Sequence, residues 1–156
     1  MTPHQAVIQA AALACLGTPW SYQGRQPGVA MDCVGLLEHC REAAGWPSPE
    51  VPRYAWPPAS KLLLARLERH LVRVDRVPRP GDVCAFWQDK PGRVRHTGIA
   101  IRDEQGAGEV MASIGFGRVR REALPGVWLR RLHGVWEIPE PHDIQHQDAK
   151  PAAAQG

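Results

Sequence analysis

The chain has 156 residues, 44% of them apolar and 22% charged, with a formal net charge of +3. That length suits one domain with one hydrophobic core, and the composition excludes a wholly disordered or collagen-like chain. The small charge, with basic and acidic residues interleaved outside Arg118, Arg120, Arg121, Arg130 and Arg131, argues against nucleic-acid binding, and no stretch approaches the roughly 20 apolar residues that span a bilayer.

In chain order, Thr2, Pro3 and Gln5 combine an N-cap, a proline at the first helical position and a capping-box partner, which predicts a helix to about Leu16, stopped by Gly17. No basic segment precedes its apolar residues, so synthesis and folding in the cytoplasm are expected. The segment GTPWSYQGRQPG, Gly17 to Gly28, reads as an irregular loop carrying Trp20 and Tyr22. From Cys33, the apolar residues Cys33, Leu36, Leu37, Cys40 and Ala44 follow helical spacing, with Glu38, His39, Arg41 and Glu42 on the other side. Asp32 stands at the N-cap of this helix and Gly45 at its C-terminal stop. Trp46 to Pro58 holds five prolines and predicts an extended covering loop. Ser60 then caps a third helix to about Leu71. Beyond RPGD (Arg79 to Asp82), the runs VCAFW, HTGIAI, EVMASI, RVRREAL and HGVWEIP are five candidate strands of an antiparallel sheet. A disordered tail is expected from 140 to 156, which leaves a domain of residues 1–139.

A cysteine in the first turn of a helix faces unpaired N–H groups and the positive end of the helix dipole, and both favour the nucleophilic thiolate. Cys33 occupies that place. His96 opens a strand on which it shares a face with Gly98 and Ala100, small residues that leave room beside the ring. A cysteine on an early helix and a histidine on a later strand form the pair in which imidazole polarises the thiol and protonates the leaving amine. Cys15, Cys40 and Cys84 read as reduced core thiols, and the lack of a CxxC half-site argues against zinc. The arginines from Arg118 to Arg131 read as a solvated hairpin face or a contact for an acidic partner surface.

Four blocks, GTPWSYQG, MDCVGLLEHC, RPGDVCAFW and RHTGIAI, resemble the NlpC family of bacterial cell-wall cysteine peptidases, and the likeness extends over most of residues 6–139. The ending GVWLRRLHGVWEIP resembles members encoded among phage tail genes and related gene-transfer particles. The resemblance implies an α+β papain-like cysteine peptidase fold, with N-terminal helices packed on a five- to six-stranded antiparallel sheet. It implies a peptidoglycan hydrolase that cuts stem peptides, commonly between D-glutamate and a diamino acid, with Cys33 as nucleophile, His96 as base and no cofactor or metal. Asp32 would hold the substrate's amino end, Trp20 or Tyr22 would line the pocket, and the backbone N–H of Cys33 would support the oxyanion. The partners implied are the stem peptide and phage tail-tip or hub proteins, with the virion acting at the periplasm or cell wall during genome entry.

The chain departs from that pattern twice. Val34 stands where relatives often carry serine, and Met111 stands at the polar position that orients the imidazole. A thioether cannot fix an imidazole tautomer. Glu109 and Ser113 share Met111's face by alternation and are substitutes for it, as are a backbone carbonyl or a water. Two other readings stay open: a non-catalytic tail-tip docking protein that keeps the fold, and an acyl- or amide-transferring enzyme with the same cysteine and histidine.

Overall fold

The computed structural model describes residues 1–47, 53–54, 59–113, 115–124 and 126–141. Helix α1 (Pro3–Ala14) begins with the reciprocal cap: the Thr2 hydroxyl accepts from the Gln5 N–H at 3.1 Å, and Gln5 Oε1 accepts from the Thr2 N–H at 2.8 Å. The following loop is less irregular than expected, because β1 (Arg25–Gln26) and β2 (Ala30–Met31) pair antiparallel within and just after it. Helix α2 (Cys33–Ala43) starts at Asp32 and gives way to Gly45 at φ +104°, a left-handed position that a side chain would strain.

Helix α3 (Ser60–His70) differs from expectation at its start. Ala59 is the N-cap and makes no side-chain bond, while Ser60 is already helical. The Ser60 hydroxyl instead accepts from the Val94 N–H at 2.9 Å and ties the helix to the sheet. Of the expected covering loop, residues 48–52 and 55–58 lie outside the described residues, as does the expected tail beyond residue 141.

The remaining elements are β3 (Val72–Val74), β4 (Val83–Trp87), β5 (Val94–Asp103), β6 (Gly106–Ser113), β7 (Arg118–Ala123), the short helix α4 (Val127–Arg130) and β8 (Leu132–Glu137). All five expected strands are present. The sixth, β3, is a three-residue edge strand too short to show a period. The sheet runs β3-β8-β4-β5-β6-β7, antiparallel throughout.

Strand alternation divides the sheet into two faces. Val83, Ala85, Ile99, Ile101, Val110, Ala112 and Trp136 pack against Ile8, Ala12, Leu36, Leu37, Leu63 and Leu67 of the three long helices. Each fully buried leucine there contributes about 1.5–3 kcal/mol. The opposite face carries a smaller cluster, Cys84, Phe86, Ala100, Met111 and Val135, over which Phe116, Trp128 and Leu132 fold.

Helix α2 lies between the sheet and α3, so half of its expected polar side is covered: Glu42 is exposed and His39 half-buried, but Glu38 and Arg41 are not solvated. Glu38 and Arg41 are 3% and 5% exposed. Glu38 accepts from Arg41 at 2.7 Å and from Arg66 of α3 at 2.9 Å, which compensates both of its oxygens. The periodicity placed these residues correctly opposite the leucines; α3 covers them.

Candidate functional site

Cys33 is the first residue of α2, and what holds it there is Asp32. The Asp32 carboxylate is fully buried. Its Oδ1 accepts from the Gly35 N–H at 2.8 Å and from Arg25 at 3.0 Å. Its Oδ2 accepts from the Gln23 N–H at 2.8 Å and from the Tyr54 hydroxyl. One carboxylate thus staples the helix start, the aromatic loop and Tyr54 together. Those four donors also engage both oxygens, so the substrate's amino end, the partner expected for Asp32, would have to displace one of them. A Cβ at Gly35 would collide with the carbonyl of Gly24, and one at Gly24 would lie 2.5 Å from the Ala30 backbone, so the loop and helix touch main chain to main chain.

Cys33 is 2% exposed, and the expectation of a favoured thiolate does not hold at rest. Burial pushes the thiol up to about 12, the neighbouring Asp32 charge adds to this, and hydrogen bonding from Thr97 and from its own backbone only partly offsets them. Desolvation and a like charge outweigh the helix N-terminus here.

His96 sits on the adjacent strand β5, but its ring belongs to the other face. The register pairs Ala85 with Thr97 and Phe86 with His96, so Thr97 points at the helices and the imidazole points away from them. The ring centroid lies 5.4 Å from that of Trp128 and 6.5 Å from that of Phe86. Burial lowers the imidazole to about 4, so it is neutral at pH 7. Its Nε2 is buried without a hydrogen-bond partner among the described residues. In the resting protein the contact between the two elements is therefore Cys33 with Thr97, one residue along the chain from His96.

The three residues considered for the third position separate clearly. Met111 is fully buried opposite Gly98, where a Cβ would come within 3.1 Å of its Cγ. Glu109 is fully buried opposite Ala100, and neither carboxyl oxygen has a well-formed hydrogen bond among the described residues. Burial holds its pKa well above the usual carboxylate range, with the Cys84 thiol as the offsetting polar neighbour, so its protonated form is favoured. Ser113 spends its oxygen on the Gly115 N–H at 3.2 Å.

Of the pocket-lining candidates, Tyr22 stands edge-on to Tyr54 at 5.6 Å beside Asp32, while Trp20 packs against the helix-side core. Arg25, Tyr54, Thr97 and Trp128 were not singled out from the sequence. Thr97 lies inside a quoted motif block, Arg25 inside the quoted loop Gly17 to Gly28 and Trp128 inside the chain's quoted ending, but only the register and the loop's close approach to α2 reveal their contacts. Tyr54 lies in a proline-rich stretch without period. No group of three His, Cys, Asp or Glu side chains among the described residues is placed to hold a metal ion.

No protein-family model and no curated protein matches the sequence. Solved structures do match it. An NlpC/P60 family protein from Bacillus cereus covers 89% of this chain with a TM-score of 0.61 at 20% identity. The NlpC/p60 domain of the peptidoglycan hydrolase SagA covers 85% with a TM-score of 0.55 at 20% identity. RipD from Mycobacterium tuberculosis, a non-catalytic NlpC/p60 domain protein adapted to peptidoglycan binding, covers 88% with a TM-score of 0.54 at 16% identity. This chain spans 42% of the Bacillus cereus protein, but 97% and 98% of the other two. The fold is that of NlpC/P60 proteins, papain-like, with N-terminal helices over a six-stranded antiparallel sheet. The resemblance read from the four blocks holds at that level.

Proposed function

We propose that this chain is a peptidoglycan-directed cysteine peptidase that cuts stem peptides between D-glutamate and the diamino acid, and that it works in a phage tail tip during genome entry. The observation that carries the reading is Cys33 as the first residue of a helix buried against β5, where Thr97 meets the sulfur and His96 is the next residue. The fold shared with the SagA domain supports peptidoglycan as the substrate class. The tail-tip setting rests on the likeness of the ending GVWLRRLHGVWEIP, and tail or hub proteins are the partners it calls for.

At pH 7 the resting pair is a neutral thiol and a neutral imidazole, because the first titrates near 12 and the second near 4. No hydrogen bond links the pair among the described residues, so catalysis requires the thiol and the imidazole to close on each other when substrate binds. The Cys33 proton passes to the imidazole as the sulfur bonds to the stem-peptide carbonyl carbon. The oxyanion takes the backbone N–H of Cys33. The imidazolium gives its proton to the leaving amine as the C–N bond breaks, and water, deprotonated by His96, releases the acid and restores the thiol.

Purified peptidoglycan digested with the wild type and with Cys33→Ala tests this, with the fragments identified by mass spectrometry. New amino termini at the diamino acid are expected from the wild type alone; indistinguishable digests would sink the reading. One observation favours a second reading, a docking or wall-binding protein: the fully buried Met111 in place of a polar orienting residue. RipD provides a precedent of the same fold. On that reading Cys33→Ala leaves particle infectivity unchanged.

A further inference from the structure

The face of the sheet that bears His96 is closed by α4, a helix of four residues with no side-chain cap and no buried residue. Val127 and Leu129 are 51% and 43% exposed, so they do not anchor it. Trp128 does. Its ring meets Phe86 edge-on at 5.3 Å and lies over His96 at 5.4 Å with the planes 34° apart. Its indole N–H donates to Glu122 Oε1 at 3.3 Å, and the other Glu122 oxygen is held by Arg120 at 2.9 Å. The three rings form a triangle, and the imidazole packs against the other two, one of which is latched to β7.

Met111 belongs to the same cluster as Phe86 and supplies bulk with no acceptor. The place where a polar residue would orient the imidazole is therefore apolar, while the ring plane is defined from above and beside. We propose that Trp128, latched by Glu122, is the positioning residue of His96, setting by ring packing the orientation that a polar third residue sets by hydrogen bonding. This rests on the peptidase reading for its kinetic consequence, but not for its structural one. The packing leaves Nε2 buried and without a hydrogen-bond partner among the described residues, so no hydrogen bond to that nitrogen fixes the ring. The ionisable groups that share this face by strand alternation are Cys84 on β4, Arg102 on β5, Glu109 on β6, Arg118, Arg120 and Glu122 on β7, and Glu137 on β8.

The test follows the His96 ring by NMR through a pH titration in wild type, Trp128→Ala, Trp128→Phe and Glu122→Ala, alongside stem-peptide cleavage. Trp128→Ala is expected to move the His96 midpoint upward from about 4 toward the ordinary histidine value and to lower kcat about 10- to 100-fold with little change in KM, as misplaced catalytic groups do. Trp128→Phe should retain most of both properties. Glu122→Ala should shift both in the direction of Trp128→Ala by less, and it tests the latch should the alanine variant fail to fold. Adding Met111→His to Trp128→Ala should restore part of kcat by supplying a hydrogen-bonding partner. An unmoved His96 titration in Trp128→Ala overturns the proposal, whether or not kcat falls. If wild type and Cys33→Ala digest alike, the peptidase reading fails and the His96 titration still decides the clamp.

Discussion

The two faces of the sheet handle a buried carboxyl group in opposite ways. On the helix side, Asp32 is fully buried and surrounded by four donors from the helix start, the loop and Tyr54. On the other side, Glu109 is equally buried and has no well-formed hydrogen bond among the described residues. Satisfied by four donors, the first organises the chain around it; unsatisfied, with its protonated form favoured by burial, the second is tolerated by the apolar cluster. Buried polar atoms without partners are rare, and His96 Nε2 lies on the same face as Glu109. The nucleophile's side is thus fixed by polar contacts and the base's side by packing. An active site assembled across such a boundary holds its two halves by different physics, hydrogen bonds on one side and ring packing on the other.

The largest expected break in this contrast is Asp32→Ala. It strands Arg25, Tyr54 and two backbone N–H groups, and removing one partner of a buried ion pair costs about 3–5 kcal/mol. Urea unfolding would measure it, and a loss under about 1 kcal/mol would show that the network is ornamental. Glu109→Gln sharpens the other side through pH. The Glu109 pKa is raised in the folded state, so the unfolded chain loses this proton first and stability falls as pH rises above about 4.5, by about 1.4 kcal/mol per unit until Glu109 itself ionises. His96 acts in the reverse sense: its folded pKa is about 4, so stability is lost as pH falls from about 6.5 toward 4. Unfolding midpoints across pH 4 to 8 should therefore lose their alkaline slope in Glu109→Gln and part of their acid slope in His96→Gln. The remaining acid slope includes His70, which burial also lowers to about 4. The smallest effect is expected for Ser113→Ala, which gives up one hydrogen bond within a turn and should change stability by no more than about 1 kcal/mol.

Local signals in the sequence located most of the fold. The Thr2–Gln5 box, the Asp32 cap, Gly45 and the five strand runs are governed by neighbours a few residues apart, and all are present. Ser60 misled because serine before a helix reads as a cap, whereas here its hydroxyl serves Val94, 34 residues away. The burial of Glu38 and Arg41 follows from α3 crossing α2, which no helical period reveals. Alternation grouped His96 correctly with Gly98 and Ala100, but could not say which face the helices cover. The depression of the thiol by the helix dipole was a one-body argument, and burial with the Asp32 charge reversed it.

The main-chain contact between Gly24 and Gly35 has an evolutionary corollary. Because the nucleophile's seat is built from backbone atoms and one carboxylate, the identity of the side chain after Cys33 does not set the position of the sulfur. Val34 stands there in place of the serine common in relatives and is 4% exposed, so it fills the core while the address of Cys33 stays unchanged.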